Sequence, residues 1–272
     1  MEFSGSRAAA DLQWLVNCPA LIESHETLVF RAIESENPDW GPVRQFLESK
    51  AAHRVGYYVE ALTQVLLESD ASISELRHGI QIRREKETLG ELDFLFSQAG
   101  QLHHLEIALK FYLCYPEGAE NGSHFVGPNA TDSFERKRDR LLGKQLPFGR
   151  ESFPEIEESH HAVKGMIFYH WLAPGEVPLP DLLNPEHARG TWIRERELEA
   201  FLSAMPSART GRILKKPYWL AAHGPDLDRE AIHEAACNHF EKWAGPVFLA
   251  LFENGQEVDR VFVMPDFWPA KS

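Results

Sequence analysis

The chain has 272 residues, 43% of them hydrophobic, which is enough for one large domain or for one domain with a substantial extension. Its 41 acidic and 28 basic residues give a net charge of −13, which argues against a protein that coats nucleic acid non-specifically. No signal-peptide pattern opens the sequence, no apolar run approaches the ~20 residues of a membrane helix, and the three cysteines are widely spaced. We therefore expect a cytoplasmic protein with reduced thiols and no membrane partner.

The first third of the chain carries helical patterns. Short helices are predicted around Leu12, Leu15 and Val16, over residues 26–33 and over residues 42–50. The clearest helix covers residues 54–68, where apolar residues recur at helical spacing and form a core stripe. Glu60 lies off that stripe, on a side shared with Gly56 and Gln64.

The periodicity changes after this helix. Residues 78–84 alternate apolar and polar side chains as a strand does, and residues 88–90 are predicted to form a turn. Two more strands follow over residues 91–96 (ELDFLF) and 102–113 (LHHLEIALKFYL), with Gly100 between them. The sequence therefore predicts three consecutive strands joined by short turns.

A helix and a fourth strand complete the predicted core. Asp132 is expected to cap a helix that reaches about Gln145 and ends at Pro147, and residues 163–172 read as an apolar strand. Later elements are a surface connection over residues 173–190, helices near 194–205 and 228–243, and a hairpin that turns at Asn254-Gly255. We expect an α/β protein with N-terminal helices and a core in residues 1–172, and an α+β extension packed on it in residues 173–272.

Charged side chains share one face of the predicted third strand. Glu106, Ala108 and Lys110 alternate with apolar neighbours, and Asp93 lies in the preceding strand. Two carboxylates and a lysine at the edge of a sheet can hold a divalent metal and orient a water for phosphodiester cleavage. The same residues also fit a solvated strand face with an ordinary Glu–Lys pair, since charged residues usually face solvent. The pattern alone leaves both interpretations open.

Several longer motifs, together with the order helix, three strands, helix, strand, resemble a known family. They are DLQWLVNCPALI, RVGYYVEALTQVLL, GELDFLF, HHLEIALKFYL, GPNATDSFERKRDRLLGKQL and HARGTW. These segments resemble the DUF1853 family of bacterial proteins, and the resemblance covers nearly the whole chain. That family has been placed in the PD-(D/E)XK nuclease superfamily by distant similarity. The resemblance therefore implies a restriction-endonuclease-like core and metal-dependent hydrolysis of phosphodiester bonds in DNA or RNA.

The resemblance also implies roles for individual residues. Glu60 corresponds to the helix carboxylate, Asp93 to the metal-binding aspartate and Glu106 to the acid of the third strand, with Mg²⁺ or Mn²⁺ as the implied cofactor. Lys110 is the candidate catalytic lysine. It departs from the superfamily's Glu-x-Lys spacing, which would place the lysine at Ala108.

Further residues are candidates for supporting the site or contacting substrate. His104 precedes Glu106 on the same strand face and could serve as a ligand, a proton acceptor or a hydrogen-bonding neighbour. Lys137, Lys144 and Gln145 lie on the second predicted helix, where several nucleases of this superfamily carry a supporting Gln or basic residue. A solvated amphipathic helix explains the same three residues equally well.

Other residue patterns in the sequence do not define a functional site. The sequence has no Gly-rich phosphate loop, no dinucleotide fingerprint and no G-x-S-x-G elbow. His233, Cys237 and His239 fall on one predicted helix, but a closed zinc site usually needs four ligands. The adjacent histidines at 103–104 and 160–161 are too local to define a site.

We therefore expect a metal-dependent nuclease whose partner is DNA or RNA. The alternative is a catalytically inactive, nuclease-like protein that binds nucleic acid or serves as a scaffold. The shifted Lys110 and the net charge of −13 favour that alternative, whereas the retained acidic set disfavours it. The choice between DNA and RNA and the oligomeric state stay open at the level of sequence.

Overall fold

A computed structural model describes residues 2–31, 38–85, 87–116, 123–173 and 177–270. The chain forms two compact units, each drawn from several stretches of sequence. The first comprises Met1–Leu109, Lys137–Gly165 and Asp181–Glu186, and the second comprises Lys110–Arg136, Met166–Pro180 and His187–Ser272. Because the units interleave along the chain, their limits differ from a boundary after residue 172.

The described residues form a mixed α/β protein. Its helices are α1 (Gly5–Asn17), α2 (Gly41–Glu48), α3 (Val55–Glu68), α4 (Phe134–Arg140), α5 (Leu146–Ser152), α6 (Leu198–Ala204) and α7 (Arg229–Phe240). Its strands are β1 (Ile73–Arg84), β2 (Glu87–Gln98), β3 (Gln101–Cys114), β4 (Phe125–Val126), β5 (Ile156–His170), β6 (Ala188–Arg194), β7 (Thr210–Ile213), β8 (Val247–Glu253) and β9 (Gln256–Met264).

Helix α3 is anchored in the first unit by α1 and α2. The hydroxyl of Tyr58, in the first turn of α3, donates a 2.7 Å hydrogen bond to the buried carboxylate of Asp11 in α1. The ring of Tyr58 also lies 5.5 Å from the ring of Phe46 in α2. A buried carboxylate without a partner would destabilise the fold, so the Asp11–Tyr58 bond fixes how the two helices meet. It also fixes the turn of α3 that carries Glu60.

Strands β1, β2 and β3 form an antiparallel meander in the first unit. Ala99 and Gly100 make the two-residue turn between β2 and β3, and both have positive φ, as a type I′ hairpin turn requires. This turn sets the register, which runs from Gln98–Gln101 to Phe94–Leu105. Strand β5 is the next neighbour of β3.

One helical segment, residues 134–152, contains a π-helical turn between α4 and α5 at Leu141–Gln145. Pro147 follows directly on this turn, at the start of α5, so its missing N–H falls where the backbone hydrogen bonding changes from π-helical to α-helical. Phe148 and Phe153 then pack on a buried cluster of Leu92, Leu95 and Ile156. The packing holds the π-helical turn close to the meander, and such turns are frequent at functional sites.

In the second unit the strand order is β5, β6, β9, β8, β7. Strand β6 is parallel to both β5 and β9, whereas β9, β8 and β7 are antiparallel to one another. The rings of Phe248 and Phe262 stack on one side of the β8–β9 pair, with centroids 4.2 Å apart. The alternate side chains of these strands point to the opposite side, where they pack against α6 and α7. The helix residues in this contact are Leu198, Leu202, Ile232 and Ala236. Alternation therefore buries both sides of this hairpin.

The main sequence predictions are confirmed. The helix over residues 54–68 is α3, the three predicted strands lie within β1, β2 and β3, and the strands with Asp93 and Glu106 are antiparallel neighbours. The predicted hairpin at Asn254 and Gly255 joins β8 to β9, and both residues have positive φ.

Two local predictions in the first half are wrong. Residues 26–31 form no helix, because Thr27 makes a parallel β-bridge to His161 instead; residues 32 and 33 lie outside the described residues. Residues 88–90 form no turn, because β1 continues to Arg84 and β2 begins at Glu87. In both places tertiary strand pairing overrides a weak local signal.

Two more predictions, at the second core helix, are also wrong. The helical segment continues past Pro147 to Ser152, since proline is tolerated in the first turn of α5. Asp132 does not cap α4, because the hydroxyl of Ser133 accepts the hydrogen bond from the backbone N–H of Arg136. Strand β7, and the start of β6 within residues 173–190, had no clear signal in the sequence.

In the described parts of the chain, no helix combines the length and the apolar character that crossing a bilayer requires.

Candidate active site

Three elements of the first unit carry acidic side chains that interact with one another: Glu60 on α3, Asp93 on β2 and Glu106 on β3. Asp93 and Glu106 each lie one position beyond Phe94 and Leu105, the last residues that β2 and β3 pair with each other. Side chains at opposed positions of an antiparallel pair share a face, with Cβ atoms roughly 5 Å apart. The hairpin register therefore places two like charges beside each other, an arrangement that costs stability unless something offsets it.

The backbone of the neighbouring strand holds Asp93. Its Oδ2 accepts a 2.9 Å hydrogen bond from the N–H of Ile107, at the point where β2 and β3 stop pairing. Burial raises the pKa of Asp93 well above its usual value, and the charges of Glu106 and Glu60 raise it further. The Ile107 hydrogen bond and the positive charge of Lys137 act in the opposite direction. The charge of Lys137 therefore acts on Asp93.

Glu60 also lies near other negatively charged side chains. Its pKa rises from 4.5 to about 7, first because it is buried and then because of the charges of Glu91 and Glu106. The folded protein therefore releases this proton at a higher pH than an ordinary glutamate does. A bound cation would favour the ionised form.

Glu106 is almost fully buried, at 1% exposure, and two side chains position it. The Nε2 of His104 donates a 3.0 Å hydrogen bond to Oε1, and the side-chain amide of Gln145 donates a short one to Oε2. Gln145 is in turn held by Lys137, whose Nζ donates a 2.9 Å bond to the amide oxygen Oε1. Each carboxylate oxygen has two lone pairs, so Glu106 keeps the capacity to bind a cation.

The orientation of His104 depends on a glycine. A Cβ placed on Gly149, in α5, would collide with Nδ1 and Cε1 of the imidazole. The buried Nδ1 has no hydrogen-bond partner among the described residues, so the ring bonds to Glu106 through Nε2 while Nδ1 faces the backbone of α5. Close approach of α5 at Gly149 is therefore what aims His104 at Glu106.

A sequence model of the family described as "Domain of unknown function (DUF1853)" matches residues 10–264. The chain belongs to the DUF1853 family. All of the acidic cluster and its supporting residues fall inside the matched range, so the site is part of the DUF1853 domain. No curated protein and no solved structure shows a significant match to the chain.

The remaining candidates in this DUF1853 chain occupy different surroundings. Lys110 belongs to the second unit, where its Nζ lies 2.6 Å from Oδ2 of Asp132; each of the two side chains is 31% exposed. The hydroxyl of Tyr112 reaches the same oxygen at 3.4 Å. Lys144 is an exposed residue of the π-helical turn, directly before Gln145. Among the sequence-predicted lysines, Lys137 is the one with a described contact to the acidic cluster, through Gln145.

Sequence reasoning missed two contributors to the DUF1853 site. Glu91 lies two residues before Asp93 on the same strand, and strand alternation alone would have placed both on one face. Gly149 gave no usable signal, because a close approach between a helix and a strand is visible only once the two elements are packed.

Proposed function

We propose that this protein is a metal-dependent nuclease of the PD-(D/E)XK type, with a restriction-endonuclease-like core in its first unit. The proposal is supported by the element order α3, β1, β2, β3, helical segment 134–152, β5. It is also supported by where the acids lie in that order, since Glu60 comes from the first helix, Asp93 from the second strand and Glu106 from the third. The superfamily arrangement resembled by the sequence uses the same three positions.

The observation that carries the proposal is the grouping of three interacting acids, Glu60, Asp93 and Glu106, in the first unit. Burial, and after it repulsion among these acids, raises the pKa of both Asp93 and Glu60, whereas the charge of Lys137 lowers that of Asp93. Buried ionised groups destabilise a fold unless they are neutralised by protons, counter-charges or a metal. The donor set consists of carboxylate oxygens, which suits Mg²⁺ or Mn²⁺, hard cations that keep several waters.

Asp93 and Glu106 would hold the cation, and Glu60 would assist through a water. Such a cation lowers the pKa of a bound water and offsets negative charge on a phosphate oxygen. The protein's own contribution is positional: the Ile107 N–H fixes Asp93, while His104 and Gln145 fix the two oxygens of Glu106. A site held in this way loses little energy to rearrangement when substrate binds.

Lys137 has the catalytic role that, in the superfamily, belongs to the lysine two residues after the acid of the third strand. Ala108 stands in that slot here, and the sequence-based candidate Lys110 makes its ion pair with Asp132 in the second unit. Lys137 lowers the pKa of Asp93 electrostatically and bonds to Gln145, so its charge acts at the cluster. A lysine at this place would stabilise negative charge that develops on the phosphate during cleavage.

A second candidate function is a nuclease-like protein that binds nucleic acid or acts as a scaffold without turning over substrate. The ion pair that engages Lys110 and the alanine at position 108 favour it. Acidic clusters retained from an enzyme can also bind a metal that serves structure alone. The two candidates make different predictions for the same assay.

The test is cleavage of labelled single- and double-stranded DNA and RNA by the full chain with Mg²⁺ or Mn²⁺. The nuclease proposal predicts metal-dependent cleavage that Asp93→Asn abolishes, with Glu68→Gln as the matched control because Glu68 is an exposed acid on α3. Wild-type protein that binds these substrates but cleaves none of them would contradict the nuclease proposal and support the scaffold function. Cleavage that persists undiminished in Asp93→Asn would exclude this site as the catalytic one.

A further inference from the structure

A second group of potential metal ligands lies in the first unit, outside the acidic cluster. It consists of His103 on β3 and of Glu158 and His160 on β5, the strand next to β3. One ligand atom from each residue lies within 4.8 Å of the other two. Among the described residues the acidic trio of Glu60, Asp93 and Glu106 does not form so tight a group.

The spacing of the three ligand atoms suits a tetrahedral metal. His103 Nδ1 lies 3.1 Å from His160 Nε2, and Glu158 Oε2 lies 3.3 Å from His160 Nε2 and 3.9 Å from His103 Nδ1. Ligand atoms bound at about 2.0–2.1 Å to a tetrahedral zinc are roughly 3.3 Å apart. A metal could therefore sit between the three atoms after shifts of a few tenths of an ångström.

The surroundings make His103 a pre-positioned ligand. Its ring stacks on Phe96 with centroids 5.3 Å apart and an interplanar angle of 7°, and its side chain is 9% exposed. The side chain of His160 is 17% exposed, whereas that of Glu158 is 56% exposed. Two ligands are thus fixed by packing, and the third faces solvent on a side from which water can enter.

The two groups of ligands differ in chemistry and in the face of β3 that they use. Consecutive residues of a strand point to opposite faces, so His103 lies across β3 from His104 and Glu106. Two imidazoles and a carboxylate prefer zinc and its borderline neighbours, whereas an all-oxygen set prefers Mg²⁺ or Mn²⁺. One unit of this protein would then hold two sites of different selectivity.

We propose that His103, Glu158 and His160 bind a Zn²⁺ ion with three protein ligands and a water in the fourth position. The site ties β3 to β5, strands whose ligand residues are more than fifty positions apart in the sequence. An open fourth position is the pattern of zinc sites that exchange ligands, as opposed to closed structural sites. This inference does not depend on nuclease activity.

The test uses Co²⁺, a spectroscopic substitute for Zn²⁺, with the full chain freed of metal. The proposal predicts one equivalent of tightly bound Co²⁺ with the intense visible absorption of a four-coordinate site, displaced by Zn²⁺ and accompanied by a raised Tm. Glu158→Gln and His160→Ala should each weaken binding at least ~10-fold, since even the loss of an outer-shell partner costs 10–100-fold. Glu158→Gln keeps the test valid if the change at the half-buried His160 prevents folding.

Two control variants isolate the site. His233→Ala removes an exposed pair on α7, where His233 Nδ1 lies 3.7 Å from Cys237 Sγ, and Asp93→Asn removes the acidic site. The proposal requires that both variants keep the absorption. Wild-type protein without four-coordinate Co²⁺, or an absorption that survives Glu158→Gln and His160→Ala, would overturn it; a hydrogen-bonded His103–His160 pair would then explain the geometry.

Discussion

Replacing Glu60 by glutamine should stabilise the metal-free protein at alkaline pH. The pKa of Glu60 is raised to about 7 by burial and by the charges of Glu91 and Glu106. Glutamine has nearly the same shape and no charge, so the variant removes the electrostatic penalty while keeping most of the packing. The prediction concerns the free energy of unfolding in the presence of a chelator.

The size and sign of the effect follow from the two pKa values. Below about pH 4.5 the carboxyl is protonated in the folded and unfolded chain alike, so the variant gains nothing there. Between about pH 4.5 and 7 the unfolded chain releases the proton first, and wild-type stability falls as the pH rises. Above about pH 7 the full penalty applies. The rise in pKa from 4.5 to about 7, at about 1.4 kcal/mol per unit, corresponds to roughly 3.5 kcal/mol. Because Glu60 is partly exposed, we expect roughly 2–3 kcal/mol.

Urea unfolding at about pH 4.5 and about pH 8 measures the gain directly. Glu68→Gln, which neutralises an exposed acid on the same helix, should change stability by less than about 0.5 kcal/mol at either pH. Saturating Mn²⁺ should reverse the order by stabilising wild-type protein more than Glu60→Gln. A gain that is equal at both pH values, or absent at the higher one, would refute the view that burial and the neighbouring acids raise the pKa of Glu60.

Three further outcomes are expected. Lys137→Ala should reduce metal-dependent cleavage by about 10²–10³-fold while Mn²⁺ affinity stays within a few fold, because its charge matters most in the transition state. Lys110→Ala should keep most of the cleavage activity and lower the free energy of unfolding by at most about 1 kcal/mol, the value of a partly exposed ion pair. If Lys110→Ala instead lost more cleavage activity than Lys137→Ala, Lys110 would be the catalytic lysine. Gly149→Ala should destabilise the protein by about 1–3 kcal/mol in thermal unfolding and lower Mn²⁺ affinity, since the new Cβ displaces His104 from Glu106. Gly56→Ala on α3, where a Cβ meets nothing within 4 Å, should be neutral or slightly stabilising, and equal effects of the two glycine changes would contradict this role of Gly149.

Periodicity is sufficient to predict the elements that carry the acids. The apolar stripe of α3 and the alternation in β2 and β3 are strong local signals, and the short connection at Ala99 and Gly100 favours a tight hairpin. Together these signals place Asp93 and Glu106 on neighbouring antiparallel strands, as the structure has them. The helix predicted over residues 26–33 failed because a bridge from Thr27 to His161 is a long-range contact with no local trace.

The contacts that complete the site depend on packing and were not predictable. The proposed choice of Lys137 over Lys110 could not be made from spacing, since it rests on the ion pair of Lys110 with Asp132 and on the π-helical turn that carries Gln145. Adjacent histidines at 103–104 and 160–161 also looked uninformative as separate pairs. Their meaning changes once β3 and β5 are neighbours, because one histidine of each pair then meets the other at 3.1 Å.

The most direct test of the central claim is a calorimetric titration of metal-free protein with Mn²⁺, comparing wild type with Asp93→Asn and with His160→Ala. The account predicts that Asp93→Asn weakens or abolishes binding at the carboxylate site, while His160→Ala leaves that binding unchanged. Both variants should be shown to be folded under the same conditions. Unchanged Mn²⁺ affinity in folded Asp93→Asn would contradict the claim that Asp93 and Glu106 form a divalent-cation site.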